Sequence, residues 1–497
     1  MSAAGERKTL WESLGETHTV VSLIILTCAV HFLIRFLLSP NLNGGEAPQM
    51  LFGQSLQWGY QPGHPPLMTW LSWAVLTAGR GSRMVLFLLR EFLLGIGLIA
   101  FFAAARTVLA DVRRAALATF FLLATFGVGW LLHWSNMDNV LLATMCCLYL
   151  WADTRTLTYQ RFADYLVLGA VTGLGVLSSY VFLLLPFAMA AALALTPELR
   201  ARLKLQPLIP AAVIALVIVA PYFTFAPDAI SFTPRGNHPP ALLALRDFAV
   251  ALVVFAIPAL LFFAVFYRRA SKPLVPVQPD VWMHLFRITM FAGAVAAIAL
   301  ILYFRPSDVR AWTYPVLLPL PLYLFARAKL AYGGDTERSD KCFAIAVLAC
   351  VLIGLGVRAW MYESRAHDCR SCAEYWPMPR YADTFRQAGF VTGTIAAPDA
   401  ALAGNLRLSF PDARVVTPDA PASRFGPPVL GECLVAWDGN GNIPPRLRDY
   451  VTQTYGAKLE ERAMQGDVET TLLTSKTRRA RMNFLILAEG TCDNPRT

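Results

Sequence analysis

The chain has 497 residues, of which 56% are hydrophobic and 15% charged, and its formal net charge is +10. A soluble globular domain usually carries about a quarter charged residues, so this composition and a mean hydropathy of +0.48 exclude an ordinary soluble protein. The basic residues lie in short loops between apolar runs, which is typical of membrane topology and argues against nucleic acid as a partner.

Apolar runs bounded by Arg and Lys predict a polytopic α-helical membrane protein surrounded by membrane lipids. No cleavage site of small residues follows the first run, so we interpret it as an uncleaved first span. The eleven predicted spans cover residues 17–38, 84–105, 114–132, 138–153, 163–179, 181–196, 207–225, 244–266, 283–303, 312–327 and 342–360. The loops richest in Lys and Arg should be cytoplasmic, which places the N-terminus inside and the C-terminal tail outside.

The first long connection, residues 39–83, should lie at the outer face directly after the first span. Long loops are usually functional rather than passive. The stretch "APQMLFGQSLQWG" predicts an amphipathic helix along the membrane surface, with Trp58 and Tyr60 at headgroup depth. The stretch "HPPLMTWLSWAVL" predicts a second helix, which its prolines open.

Glu46 lies at the start of the first of these helices, and two interpretations of its carboxylate remain open. In the simpler one, the carboxylate meets the positive end of a helix dipole. In the other, it is a general base or a metal ligand in a cleft at membrane level. His64 likewise is either a polar interfacial residue before two prolines or part of a site. Arg90 and Glu91 are the main ionisable residues inside the predicted spans, and they either pair or lie near a boundary.

The tail, residues 364–497, differs from the preceding transmembrane domain, residues 1–363, which includes the outer loop. Short apolar runs such as "ECLVAW" alternate with polar helical stretches, and this pattern predicts a small α/β domain. Four cysteines of the tail favour disulfides of open pairing in an exported compartment: Cys369, Cys372, Cys433 and Cys492. For "CRSC", half of a metal site is the weaker alternative.

Several motifs resemble one family of membrane enzymes. The loop contains "GEAP" at residues 45–48, then Gly59-Tyr60, then "HPPL" from His64 and Trp70. This order resembles the first outer loop of polytopic GT-C glycosyltransferases of families 39 and 83. These families include the protein O-mannosyltransferases, the lipid A aminoarabinose transferases and the rhizobial lipid A/core galacturonosyltransferases. Further segments are similar in the same order: "LHWSNMDNVLLATMCCLYLW", "YLVLGAVTGLGVLSSYVFLLLPFA", "VRAWTYPVLLPLPLYLFAR" and "AGNLRLSFPDARV".

The chain departs from the family pattern at several polar positions. Gly45 and Pro48 stand where the loop motif usually has acids, so Glu46 is the carboxylate that the motif retains. Three further changes are His64 and Ser179, each in place of a lysine, and Ala311, in place of an arginine, with Arg310 adjacent. These departures leave open whether activity persists.

The resemblance implies transfer of a sugar from a polyprenyl-phosphate donor, with inversion, at the periplasmic face of a bacterial inner membrane. The implied acceptor is an envelope glycolipid of the lipopolysaccharide or lipid A type, or another molecule. The implied catalytic carboxylates are Glu46 and Asp138. The alternative for Glu46 is to bind a divalent cation, Mg²⁺ or Mn²⁺, and the alternative for Asp138 is to cap a helix.

Cations near the leaving phosphate would lower the barrier, because negative charge develops there. The predicted donor-phosphate contacts are His64, Arg83, Arg235 and Arg310, with interfacial snorkelling as an equal alternative for the arginines of the outer loops. The predicted substrate contacts are Gln54, Tyr60, Asn139, Tyr180 and His238. Two other functions remain open for this fold: a transporter of lipid-linked sugars and a non-catalytic membrane scaffold.

Overall fold

The computed structural model of the chain describes residues 9–493, except 62, 135, 227–238, 268–279, 307, 333–336, 366–372, 422–424, 426–428, 440, 460–461, 474 and 476. The first three quarters of this chain are helical. The helices are α1 (Leu10–Ser13), α2 (Thr17–Leu38), α3 (Ala47–Phe52), α4 (Leu67–Ala78), α5 (Arg83–Leu109), α6 (Val112–Ala124), α7 (Met137–Tyr159), α8 (Phe162–Ser178), α9 (Leu184–Ala194), α10 (Pro197–Arg200), α11 (Leu208–Phe225), α12 (Ala241–Phe266), α13 (Val281–Phe304), α14 (Thr313–Leu317), α15 (Leu320–Tyr332) and α16 (Glu337–Arg365). A π-helical turn covers Phe126–Trp130, and 3-10 turns cover Leu131–His133, Tyr180–Leu183 and Arg310–Trp312.

Six helices in the described part of the chain are long and apolar enough to cross a membrane: α2, α5, α11, α12, α13 and α16. A seventh span results if α6 and Phe126–His133, which meet at a bend of 62°, are taken together. Large apolar side chains such as Leu216 and Phe291 are exposed on these helices, as lipid contact requires. The polytopic helical fold is therefore confirmed.

The predicted number of eleven spans is not confirmed, because several apolar runs form short or broken helices. The run 312–327 is divided between α14 and α15, and the helix preceding residue 196 begins only at Leu184 after a 3-10 turn. The helix α8 has 17 residues and is short for a span. The summed hydropathy of an apolar run does not show where the helix is interrupted, so these runs were predicted as continuous spans.

The C-terminal part folds as an α/β domain, as predicted. Its elements are α17 (Met378–Gln387), β1 (Gly393–Ala396), α18 (Ala400–Ser409), β2 (Arg414–Val416), β3 (Glu432–Asp438), α19 (Pro445–Tyr455), β4 (Arg462–Thr471) and β5 (Arg479–Leu487). The strand order is β2-β1-β3-β5-β4. The strand β1 is parallel to β2 and β3, and Ile395 lies opposite both Val415 and Leu434. The strand β5 pairs antiparallel with β3 and β4.

A disulfide joins Cys433 of β3 to Cys492, with 5.5 Å between their Cα atoms. Cys369 and Cys372, the other two cysteines of the tail, lie outside the described residues. The bond links the central part of the sheet to the segment around Cys492. Arg414 also binds this segment, because its Nη2 donates a hydrogen bond of 2.7 Å to the carbonyl oxygen of Cys492.

The chain packs as two compact units. The first, which we call the bundle unit, comprises Met1–Val30, Glu91–His133 and Asp138–Leu355. The second, which we call the loop-and-tail unit, comprises His31–Arg90, Trp134–Met137 and Gly356–Thr497. The predicted boundary between residues 363 and 364 stays a prediction, but the outer loop 39–83 and the tail belong to the same unit.

Within the loop-and-tail unit, one apolar core contains residues of both the outer loop and the tail. Leu51 and Phe52 of α3 are buried there together with Ile395 and Val415 of the sheet. The ring centroids of Phe52 and Phe425 are 6.4 Å apart. The helix α3 thus ends at Phe52 and is buried in protein, whereas the sequence predicted a longer helix along the membrane surface.

In the bundle unit, small residues allow two helices to approach closely. Gly169 and Gly173, four residues apart on α8, face α11. A Cβ atom at Gly169 would lie 2.2 Å from the carbonyl oxygen of Ala211. Such pairs of small residues are typical of packing between membrane helices, where close backbone contact replaces the hydrophobic driving force.

Candidate active site

Glu46 lies directly before α3 and is fully buried, with 0% exposure. Arg35 of α2 donates to it twice, from Nε to Oε1 at 3.2 Å and from Nη2 to Oε2 at 2.5 Å. The backbone N–H of Asn43 donates to Oε2 at 3.1 Å, and Nη2 of Arg90 lies 3.6 Å from Oε1. Two guanidinium groups and the loop backbone therefore hold this carboxylate.

This setting determines the charge of Glu46. Burial would raise the pKa of its carboxyl, but the charges of Arg35 and Arg90, with the hydrogen bonds from Arg35 and Asn43, hold that pKa below its usual value. The group is therefore ionised at neutral pH and acts as a fixed counter-ion. Its predicted role as a general base stays a prediction.

A divalent cation does not fit the donors around Glu46. Both carboxylate oxygens are paired with guanidinium nitrogens, whose positive charge repels a metal ion. Mg²⁺ and Mn²⁺ need several oxygen ligands, and no group of three or more His, Cys, Asp or Glu is arranged to hold a metal among the described residues. Glu46 in this setting is therefore not suited to hold a divalent cation.

The turn before α3 places Glu46 against α2. The side-chain oxygen of Asn43 accepts hydrogen bonds from the N–H groups of Gly45 and Glu46, at 2.9 and 3.0 Å, which closes an Asx turn. Arg83, a predicted phosphate contact, is half-buried at the start of α5. Its Nη1 donates to the carbonyl oxygen of Ser39 at 2.5 Å, so Arg83 holds the beginning of the same loop.

The two predicted substrate contacts of the outer loop are used within the protein. The Tyr60 hydroxyl donates to the carbonyl oxygen of Ser55 at 2.9 Å and accepts from the N–H of Gln57 at 3.0 Å. Burial raises the pKa of Tyr60 to about 12. The amide of Gln54 donates to the carbonyl oxygen of Val415 at 2.8 Å and accepts from its N–H at 3.1 Å. Both side chains shape the loop in this structure.

His64, by contrast, is exposed just before α4, which begins after two prolines as predicted. The backbone N–H of His64 donates to the carbonyl oxygen of Gln61 at 3.2 Å, and its imidazole lies at the surface of the loop. Its position leaves it accessible to an anionic ligand.

The bundle unit contains the other described candidates. Asp138 and Asn139 are half-buried in the first turn of α7. The hydroxyl groups of Tyr180 and Tyr222 are 2.9 Å apart and share a hydrogen bond. Arg310 is exposed on a 3-10 turn. The predicted contacts Arg235 and His238 lie outside the described residues.

Glycines break the helix that precedes α7. A Cβ atom at Gly129 would lie 1.8 Å from the carbonyl oxygen of Leu123, so a side chain is not tolerated in the π-helical turn. The following 3-10 turn ends at His133, whose Nδ1 lies 3.3 Å from Oε1 of Glu91 on α5. This buried pair fixes the end of the broken helix, four residues before α7 begins.

The sequence analysis missed three buried polar residues of the spans. Arg35 is the main partner of Glu46, and His31 lies one helical turn before it on α2. Arg358 of α16 donates from Nη1 to Nδ1 of His31 at 3.0 Å, because an arginine has no acceptor. Polar residues spaced by four inside an apolar run are a signal that could have found His31 and Arg35.

Comparison with known proteins gives matches over most of the chain. A family model described as dolichyl-phosphate-mannose-protein mannosyltransferase matches residues 63–225. The lipopolysaccharide core galacturonosyltransferase RgtA of Rhizobium johnstonii is 30% identical over 449 residues, which cover 85% of this chain and 88% of RgtA. RgtB of the same organism is 27% identical over 469 residues, which cover 89% of this chain and 93% of RgtB.

Solved structures of low sequence identity share the fold. The crystal structure of ArnT from Cupriavidus metallidurans bound to undecaprenyl phosphate matches with a TM-score of 0.58 and 14% identity, over 93% of this chain and 97% of that one. The apo state of the same protein matches with a TM-score of 0.57 and 15% identity, over 94% and 98% of the two chains. At these identities the likeness establishes the fold alone.

Proposed function

Because this chain belongs to the GT-C glycosyltransferase family of the rhizobial lipopolysaccharide core galacturonosyltransferases, we propose that it transfers a sugar from a polyprenyl phosphate to a glycolipid of the lipopolysaccharide type. The names of RgtA and RgtB support the acceptor class. The undecaprenyl phosphate in the ArnT crystal supports a polyprenyl-phosphate carrier. The distribution of Lys and Arg supports a reaction at the periplasmic face of an inner membrane, with the N-terminus in the cytoplasm.

One observation in the structure carries this proposal. Arg35, Arg83 and Arg90 cluster where the first outer loop leaves α2, and they interact with two carboxylates, Glu46 and Glu374. Counted over the described residues just named, three arginines face two carboxylates, so these five side chains together carry a net positive charge. A surplus of cations beside an apolar span suits an anionic group that arrives from the lipid, such as a phosphate at headgroup depth.

The proposed reaction is an inverting displacement. The acceptor hydroxyl oxygen attacks the anomeric carbon, the bond from that carbon to the phosphate oxygen breaks, and polyprenyl phosphate leaves with the electron pair. Arg83 and Arg310 are the proposed cations that stabilise the charge of the leaving phosphate, and His64 is a proposed hydrogen-bond donor to it. Asn139 and Tyr180 are the proposed contacts of the sugar or the acceptor.

The proton of the hydroxyl goes to a carboxylate, and Glu46 and Asp138 are the two candidates. An effective general base has a pKa near the working pH and can reach the proton. Glu46 is fully buried and already neutralises two arginines, whereas Asp138 is half-buried at a helix start. We therefore assign the proton to Asp138 and the role of structural counter-ion to Glu46.

The test compares Asp138→Asn with a matched variant, Asp247→Asn, whose carboxylate is exposed beside Arg246. Membranes containing each variant are given a polyprenyl-phosphate sugar and lipopolysaccharide, and the glycolipid is analysed by mass spectrometry. We expect Asp138→Asn to lose roughly two to four orders of magnitude in turnover, as for a missing general base, and Asp247→Asn to retain it.

A second comparison tests the function itself. Cells with the protein should contain a glycolipid that is heavier by one sugar than that of cells without it. Identical glycolipids, together with no transfer in membranes, would refute the transferase proposal. That result would favour the non-catalytic scaffold, which the loss of the usual loop acid at Gly45 also supports.

A further inference from the structure

The structure assigns a positioning role in sugar transfer to Gly404 and Asn405 of α18, which hold the first outer loop from the exported domain. These two residues belong to the tail, more than three hundred positions after the loop, yet they contact the backbone on both sides of Glu46. The inference rests on the proposed function, because it takes the loop to act in transfer.

The side-chain amide of Asn405 pairs with both backbone polar groups of Leu42 in the loop, as a neighbouring β-strand would. Its Oδ1 accepts from the N–H of Leu42 at 2.9 Å, and its Nδ2 donates to the carbonyl oxygen of Leu42 at 3.1 Å. Asn405 and Leu42 are both fully buried. Water cannot replace these bonds, so a variant without the amide would leave two backbone groups unsatisfied inside the protein.

Gly404 brings the backbone of α18 onto the first residue of α3. A Cβ atom at Gly404 would lie 2.2 Å from the carbonyl oxygen of Ala47 and 2.7 Å from its Cα. Both neighbours are backbone atoms, so no rotation of a side chain can relieve the contact. Ala47 directly follows Glu46, and any shift of α3 therefore moves the carboxylate relative to Arg35.

A third contact holds the other end of α3. Gln54 exchanges two hydrogen bonds with the backbone of Val415 in β2, and its Oε1 also accepts from Nη1 of Arg407 at 3.3 Å. Arg407 lies on α18 and donates to the carbonyl oxygen of Ala413 at 3.1 Å as well. The loop is therefore attached to the tail domain at residues 42, 47 and 54, on both sides of Glu46.

These attachments give the tail domain a function in catalysis without contact to substrate. The same loop fixes Arg83, a proposed phosphate contact, through the carbonyl oxygen of Ser39, and a displacement of such a contact by about 1 Å can cost about a hundred-fold in rate. A short loop with two glycines before α3 does not by itself have that rigidity. Docking against α18 and β2 supplies it.

The test uses two variants of α18 and two matched controls. Gly404→Ala introduces the clash with Ala47, and Asn405→Leu removes the amide. Gly44→Ala adds the same methyl group in the loop itself, where nothing lies within 4 Å of the new atom. Asn483→Leu removes a buried amide of the same domain, which donates to the carbonyl oxygen of Gly439 at 2.6 Å.

We expect Gly404→Ala and Asn405→Leu to lower kcat by about a hundred-fold and to change the KM for the lipid-linked donor much less, while both controls keep kcat within about two-fold. Hydrogen exchange of the backbone amides of residues 42–54 should accelerate in the two α18 variants, whereas amides of β1 and β3 stay protected. An unchanged exchange rate at Leu42 in Asn405→Leu, or an unchanged kcat in both α18 variants, would overturn the inference.

Gln54→Ala provides an independent route if a change in α18 prevents folding, because it cuts the attachment from the loop side. It should also accelerate exchange in residues 42–54, and slow exchange there would count against the positioning role. The two proposals can fail separately. A wild-type protein without transfer refutes the proposed function, whereas the exchange comparison reports on the attachment of the loop in either case.

Discussion

Replacing Glu46 by Gln should lower the free energy of unfolding by about 3 to 5 kcal/mol, since it removes the negative partner of a buried ion pair. The side chain of Glu46 is 0% exposed, and those of Arg35 and Arg90 are 7% and 1% exposed. The neutral amide can accept one hydrogen bond from Arg35, but it cannot balance the charge of either guanidinium group. The cost is therefore that of an uncompensated buried charge, which exceeds the loss of one hydrogen bond.

Denaturant unfolding of the purified protein in detergent, followed by tryptophan fluorescence, measures this difference. Glu469→Gln is the matched control, because Glu469 faces Arg479 at 3.8 Å with nearly half of its side chain exposed. Exposed pairs contribute little, so this variant should unfold close to the wild type. If Glu46→Gln also unfolded like the wild type, the counter-ion role derived from the buried geometry would be wrong.

The same pair predicts a pH dependence with a definite sign. The folded protein holds the pKa of Glu46 below its ordinary value of 4.5. Its contribution to stability is therefore fully present above pH 4.5 and is lost as the pH falls through the lower pKa of the folded state. The difference in stability between wild type and Glu46→Gln should be constant near neutral pH and shrink in acid. A difference that grew in acid would contradict this sign.

Two further predictions concern the fold. The bond between Cys433 and Cys492 closes a loop with a sequence separation of 59, so removing it by a double change to Ser should lower the free energy of unfolding by about 4 kcal/mol, measured by the same denaturant assay; a double variant as stable as the wild type would contradict this. Gly129→Ala should destabilise the protein by about 1 to 3 kcal/mol, because the new methyl group meets backbone, whereas Gly354→Ala, with nothing within 4 Å, should be neutral or slightly stabilising in thermal unfolding. Equal melting temperatures of these two variants would contradict the geometry of the helix break.

The sequence predicted those parts of the fold that depend on local composition. The first predicted span, residues 17–38, coincides with α2, and the alternation of short apolar and polar runs predicted the α/β domain. The predicted span 114–132 corresponds to a bent pair of helices, Val112–Ala124 and Phe126–His133, which meet at 62° because the helix breaks after Ala124. A Cβ atom at Gly127 would lie 2.0 Å from the ring of Phe255, so the break depends on a distant helix that hydropathy does not include.

The candidate site was predicted in part for a similar reason. Glu46 was identifiable as a carboxylate in an otherwise apolar and turn-forming stretch, and its neighbours in sequence placed it at a helix start. Its partners Arg35 and Arg90 belong to two different helices, and sequence spacing gives the face of each helix but not which faces meet. The attachment of the loop to Asn405 could not be predicted from the sequence either, because a single asparagine on a helix forms no periodic pattern.

The setting of Glu46 matters for catalysis because the neighbouring position of the loop motif, where the family usually has an acid, is Gly45 in this chain. A proton acceptor needs a pKa near the working pH and a free lone pair, while a counter-ion of two buried arginines needs a depressed pKa and occupied oxygens. One carboxylate cannot meet both requirements at once, because releasing its oxygens for the acceptor hydroxyl would leave two guanidinium groups uncompensated in a buried site. Gly45 provides no second acid in the motif. We therefore propose that the proton acceptor is a carboxylate from outside the loop, and Asp138, half-buried at the start of α7, is the proposed group.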